Sequence, residues 1–101
     1  MSDIRTFSPG FGTGVTISTT TTSSNTVIRS GTLAVCVTNT DSTNNIYFRT
    51  CAASTDVATA ADYLVLPGQQ VSVSKQREHG FIAVIAAAGT PSVHVITGDG
   101  I

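Results

Sequence analysis

Charge is the scarcest ingredient of this chain. Lys and Arg total 5 and Asp and Glu 6, so charged residues are 11% of the sequence, against a usual fraction of about 25%. The cations Arg5, Arg29, Arg49, Lys75 and Arg77 are spread along the chain and form no basic run. That excludes nucleic acid as a direct partner, because binding phosphate needs clustered Lys and Arg. No apolar run approaches the roughly 20 residues of a membrane helix, so no membrane partner is expected. The opening MSDIRTFSPGFG has no basic stretch followed by an apolar one, so the expectation is no signal peptide and synthesis in a cytoplasm. Metal-ligand spacings such as CxxC or HxH are missing, as are paired carboxylates, and no ten-residue stretch carries a helical period.

Thr, Ser and small apolar residues stand in place of charge, with 41% of the chain hydrophobic. Thr is β-branched and favours strands. A surface of hydroxyls and small apolar groups suits a protein largely covered by neighbours, since charge is what keeps free monomers soluble. At 101 residues one domain is expected, and its core is modest enough that oligomerisation would add stability. Residues 1–12 lack periodicity and read as an N-terminal arm, with residues 13–101 as the domain. Phe7 and Phe11 mark the arm as a candidate contact segment, because two aromatics are costly to leave in water.

Alternation then dominates. Val15 and Ile17 alternate with Thr16 and Ser18. TTTTSSN reads as an edge strand with its turn, and Val27 to Arg29 as a short strand. Leu33, Val35 and Val37 share one face. DSTNN is a loop of turn formers, followed by Ile46 and Phe48 opposite in parity to Tyr47 and Arg49. If Asp41 faces Ile46 across a tight turn, Cys36 faces Cys51, and Val37 and Phe48 fall on the same side, a hairpin with its apolar residues together. AASTDVATAAD is an ordered loop. DYLVLPGQQVSVS is a strand, a Pro-Gly corner and a strand with Val71 and Val73 inward. KQREHG is a charged loop, FIAVIAAA a fully buried central strand, and SVHVITGDG the last strand. About eight short strands at such spacing predict an antiparallel β-sandwich, jelly-roll-like or immunoglobulin-like.

The search for chemistry finds little. His79 adjoins Glu78 in KQREHG, but neighbouring side chains in an extended segment diverge, so the loop reads as a solvated one. Its residues Lys75, Arg77, Glu78 and His79 are better placed for contact than for catalysis. His94 lies on the face away from Val93 and Val95. Cys36 and Cys51 read as small core residues that stay thiols in a cytoplasm. GFGTG precedes no helix and is no phosphate loop. Neither catalytic residues nor a cofactor is expected.

The segments LAVCVTNTDSTNNIYFRT, AASTDVATAAD, LVLPGQQVSVS and FIAVIAAAGTPSVHVITGDG together resemble a group of small structural proteins of tailed bacteriophages. The shared features are a valine-rich strand ending in Asn (Val37 to Asn39), a strand with an aromatic (Phe48) and an Ala/Thr loop (Val57 to Ala61). A Leu66-Pro67-Gly68 corner and a closing hairpin over Gly89 to Gly100 complete them. The resemblance covers roughly residues 32–101, and the charged KQREHG loop and Cys51 depart from it. It implies a β-sandwich decoration or cement protein on the surface of an icosahedral head. Such a protein would bind the major capsid protein across subunit junctions and act as a homo-oligomer, with a trimer ranked ahead of a dimer. A tail, fibre or receptor-binding module is the alternative, for which Tyr47 and Tyr63 are the available aromatics. A small hydrolase using His79 or Cys51 ranks last.

Overall fold

The computed structural model describes Ser8, Pro9, Gly12 and residues 14–99. Its strands are β1 (Ser8–Pro9), β2 (Val15–Ser18), β3 (Ser24–Val27), β4 (Ala34–Asn39), β5 (Ile46–Cys51), β6 (Tyr63–Val65), β7 (Gln70–Ser74), β8 (Phe81–Ala86) and β9 (Ser92–Asp99). They form two antiparallel sheets. Sheet A has the order β2-β9-β4-β7, with the two-residue β1 extending β2's side of β9, and sheet B the order β3-β8-β5-β6. β5 and β6 are the only consecutive strands among β2–β9 that share a sheet; every other link crosses the sandwich. This alternation is the jelly-roll topology, not the immunoglobulin one.

The crossings correct one expectation. β4 and β5 are not a hairpin: β4 pairs with β7 and β9, and β5 with β6 and β8. Val37 therefore lies opposite Val71 and Val95, and Cys36 opposite Ser72 and Ile96. The closing Gly89–Gly100 hairpin fails likewise, since β8 and β9 belong to different sheets. Parity could not separate the two cases. Val35, Val37, Ile46 and Phe48 share one side in a flat hairpin, and they also share the interior when the strands face each other across a core.

That core is built by alternation from both sheets. Val35, Val37, Val93, Val95 and Ile17 come from sheet A, and Ile46, Phe48, Val65, Ile82 and Val84 from sheet B. Val71 and Val73 pack against its margin while Ser72 and Ser74 stay exposed. The expected strand at Val27–Arg29 begins earlier, at Ser24; Ile28 is buried just past its end, its N–H donating to Gly80 O at 2.9 Å. Leu33 falls outside β4 and is exposed.

The crossovers cluster at the two ends. At one end lie residues 19–23, 40–45, 66–69 and 87–91; Thr19 donates from both N–H and Oγ1 to Pro91 O, at 3.0 and 2.6 Å. The Leu66–Gln69 corner is a type II turn, with Pro67 second and Gly68 third at φ 74°, closed by Gln69 N to Leu66 O at 3.0 Å. Only glycine takes that third position without strain. In the neighbouring crossover, Asp41 Oδ2 accepts from Asn44 N (2.7 Å), Thr43 N (3.1 Å) and Thr43 Oγ1 (3.2 Å). The Asn44 bond first, then those from Thr43, hold its carboxyl below the ordinary 3.8. A lowered folded-state value stabilises the fold above the ordinary pKa and is lost as pH falls through the folded one. Asp41→Asn should therefore flatten the acid loss of stability, seen by comparing urea midpoints at about pH 6 and about pH 2.5. An unchanged pH profile would show that this carboxylate does not anchor the turn.

Candidate functional site

The 75–80 crossover sits at the other end of the sandwich, beside residues 28–33. Lys75, expected to make contacts, is instead buried. Its Nζ donates to His79 O at 2.9 Å and Gln76 O at 3.3 Å, so it ties the crossover together from inside. Burial pushes its pKa below the ordinary 10.5, partly offset by Asp99 and then Glu78. Long side chains can bury a stem at modest cost if the charged head finds oxygens. Arg77 and Glu78 are exposed at the tip. His79 is half-buried, with Nδ1 at 2.9 Å from Thr50 Oγ1. Phe7 and Phe11 lie outside the described residues; of the arm, Ser8 and Pro9 pair with Asp99 and Gly98.

Cys36 and Cys51 are buried thiols in different sheets. Cys51 occupies the outer side of sheet B under the 52–62 loop, with Ala58 and Ala83. Burial raises its pKa, which disfavours the nucleophilic thiolate. Thr50, next in the chain and opposite in parity, carries the contact to His79, so Cys51 and His79 stand on opposite faces of β5. The described residues contain no group of three or more His, Cys, Asp or Glu suited to a metal, and no helix of theirs is long and apolar enough to cross a membrane.

The sandwich is sided. The outer face of sheet A carries Thr16, Ser18, Thr38, Gln70, Ser72, Ser74 and His94, mostly exposed, around buried Ala34 and Cys36 and half-buried Ile96. The outer face of sheet B carries two rows of large apolar side chains on either side of a row that holds Asn25, Ala83 and Arg49. One row across it runs Leu64, Tyr47, Ile85 and another Cys51, Phe81, the latter continued by Val27 on β3. The 52–62 loop crosses its middle, held by Asn25 Nδ2 to Asp56 O at 2.9 Å and by Ala58 N to Ser23 Oγ at 2.8 Å. The loop buries the centre but leaves the margins open: Val27 is 66% exposed, Val57 58%, Leu64 41% and Leu66 48%. Sequence reading missed these four. The signal was present in YLVL, where apolar residues at both parities beside a Pro-Gly corner demand either a doubly buried strand or an exposed apolar edge.

A second feature opens where short β6 leaves β5 and β7 uncovered. A groove of about 510 Å³ is lined by Phe48, Arg49, Thr50, Asp62, Tyr63, Val73 and Ser74. Tyr63, half exposed, leans on Phe48 with ring centroids 5.4 Å apart at 46°. Tyr63 is thus the exposed aromatic anticipated from sequence, whereas Tyr47 is only half-exposed within the outer row.

Fold and surface together define a jelly-roll β-sandwich whose outer faces differ, one richer in hydroxyls and the other richer in large apolar side chains. No family model, curated protein or solved structure matches the chain.

Proposed function

We propose that this chain is a structural virion protein that binds the outside of an icosahedral head at junctions between major capsid subunits and stabilises it. The observation that carries the reading is the sidedness of the sandwich. Val27, Leu64 and Leu66 bring exposed apolar area to the margins of sheet B's outer face, and Val57 stands out from the loop laid across it. An exposed apolar surface bounded by polar residues is what protein interfaces use. The resemblance in the 32–101 strand-and-turn pattern points to the same class, and jelly rolls recur in capsid architecture, which counts as fold analogy only.

A standard interface needs about 800 Å² per partner. That is roughly one-seventh of this chain's 5517 Å² and within reach of one sheet face. Affinity at each site need not be high, because a homo-oligomer, a trimer ahead of a dimer, engages several lattice points at once. Arg77 and Glu78 at the exposed crossover tip supply polar contacts, and the arm with Phe7 and Phe11 is a second proposed contact. The alternative, a tail, fibre or receptor-binding module, draws its support from the Tyr63 groove.

Heads lacking the protein, mixed with purified chain and pelleted, should retain it saturably at a fixed ratio to the major capsid protein. The double variant Val27→Asp with Leu64→Asp should keep the wild-type melting temperature and lose about tenfold or more in binding. Ser72→Asp on the opposite face should bind normally. Undiminished binding by the double variant would remove sheet B from the interface, and no binding by the wild type would reject the head location.

A further inference from the structure

We propose that the groove between β5, β6 and β7 is a binding site for a neutral pyranose sugar. The claim is independent of where on a virion the chain resides. Its floor is aromatic and aliphatic: Tyr63 with Phe48 behind it, and Val73 from the facing sheet. Its rim is polar with both signs of charge, Arg49 and Asp62, and two hydroxyl residues, Thr50 and Ser74. A pyranose presents the matching pair of surfaces. Its axial C–H groups form an apolar face that stacks on an aromatic ring, and its ring of hydroxyls both donates and accepts.

The geometry of the polar groups favours this ligand over an ion. Asp62 Oδ2 accepts from Thr59 N at 2.8 Å, which orients the carboxylate. Among the described residues no donor hydrogen-bonds its Oδ1, and the Arg49 guanidinium donates no hydrogen bond. Phe48 and Tyr63 are register partners on β5 and β6, so the residues one step further, Arg49 and Asp62, flank the same opening. An acceptor and a planar fork of donors can hold adjacent hydroxyls, the carboxylate accepting and the guanidinium donating. The opposed charges leave the groove without net attraction for an anion or a cation. Thr50 Oγ1 is already engaged by His79 Nδ1 at 2.9 Å, which fixes that hydroxyl at the rim.

Size agrees: about 510 Å³ falls within the roughly 300–1,000 Å³ usual for small-molecule sites. The ring pair is set on strands, with Tyr63 restrained by Phe48, so little ordering is required on binding. The groove is open to solvent along the sandwich edge, which places single-sugar affinity in the millimolar range, about 1–10 mM.

The test is a titration of the isotope-labelled full chain with the methyl glycosides of glucose, galactose, mannose and N-acetylglucosamine, followed by amide and side-chain NMR shifts. At least one sugar should give saturable shifts centred on residues 49, 50, 62, 63 and 74. Tyr63→Ala should weaken that binding about tenfold or more and Tyr63→Phe should preserve it, both with otherwise native spectra. Arg49→Ala should weaken it too while leaving the fold intact, since the side chain is exposed and donates no hydrogen bond to a described residue. No saturation by any of the glycosides up to about 50 mM, or shifts centred on Val27, Tyr47 and Leu64 instead, would overturn the proposal. So would equal binding by wild type and Tyr63→Ala.

Discussion

Asn39→Asp is expected to cost about 3–5 kcal/mol at neutral pH, out of a total of about 5–15 kcal/mol for a domain of this size. Asn39 is fully buried at the end of β4. Its amide Nδ2 donates to Asn44 O at 2.9 Å and to Val65 O at 3.2 Å, and its Oδ1 accepts from Asp41 N at 3.0 Å. The backbone joins in, with Asn39 N donating to Gln69 O at 2.9 Å and Gly68 N to Asn39 O at 3.0 Å. One residue thus knits the 40–45 crossover, the Pro-Gly corner and β6. A carboxylate of the same shape cannot donate: it would face two carbonyl oxygens, out of water, with its charge unpaired. Asn39→Ala leaves the carbonyls unpaired without adding charge and should cost less, about 2–3 kcal/mol.

The two variants also differ in pH dependence. Burial and the facing carbonyls raise the new carboxyl's folded-state pKa above the ordinary value of about 3.9. Below that ordinary value both folded and unfolded states are protonated, and the acid can donate to one carbonyl. The deficit against wild type is then reduced to that of the one carbonyl left unpaired, and it grows as pH rises toward the raised folded value. Urea unfolding at about pH 3.5 and about pH 7 reads this directly. An aspartate variant no less stable than the alanine variant at neutral pH would refute the donor role given to Nδ2.

The periodicity carried most of the strand inventory because sandwich strands bury one side. Val15/Ile17, Val35/Val37, Ile46/Phe48, Val71/Val73 and Val93/Val95 all point inward as their spacing dictates. FIAVIA was legible as a central strand, and the 52–62 loop explains why: it covers Ala83 and Cys51 on the outer side. Strand pairing was not legible. Parity decides which side a residue takes, but not whether the next strand lies beside or across, and Thr40–Asn45 crosses. Asn39 was visible only as a strand-terminal Asn, since its partners Asn44 and Val65 come together only through that crossing. Lys75 illustrates the opposite error. In sequence it belongs to a charged loop, yet the carbonyls of Gln76 and His79 curl back over its Nζ. Arg49 and Asp62, thirteen positions apart in sequence, meet at one groove only because β5 and β6 are the consecutive pair that shares a sheet.

Phe48→Ala should destabilise the protein by about 3–5 kcal/mol, the usual range for deleting a buried aromatic side chain. Tyr63→Ala should cost only about 1 kcal/mol, although both rings belong to the same pair. The difference follows from where each ring ends. Phe48 is 2% exposed and belongs to the main core cluster, between Val84 and Tyr63 in the register. Removing it empties space enclosed by both sheets, and strands paired on both sides cannot collapse into the gap, so the cavity term is retained. Tyr63 is on the edge strand and half exposed, so truncation there leaves a dent that water fills. A double-mutant cycle over Phe48 and Tyr63 isolates the ring contact itself, expected at about 0.5–1.5 kcal/mol. If the two single truncations cost the same, the boundary between core and groove drawn at this pair is misplaced. If the coupling is zero, Phe48 does not restrain Tyr63, and the ring on which the sugar would stack loses its support.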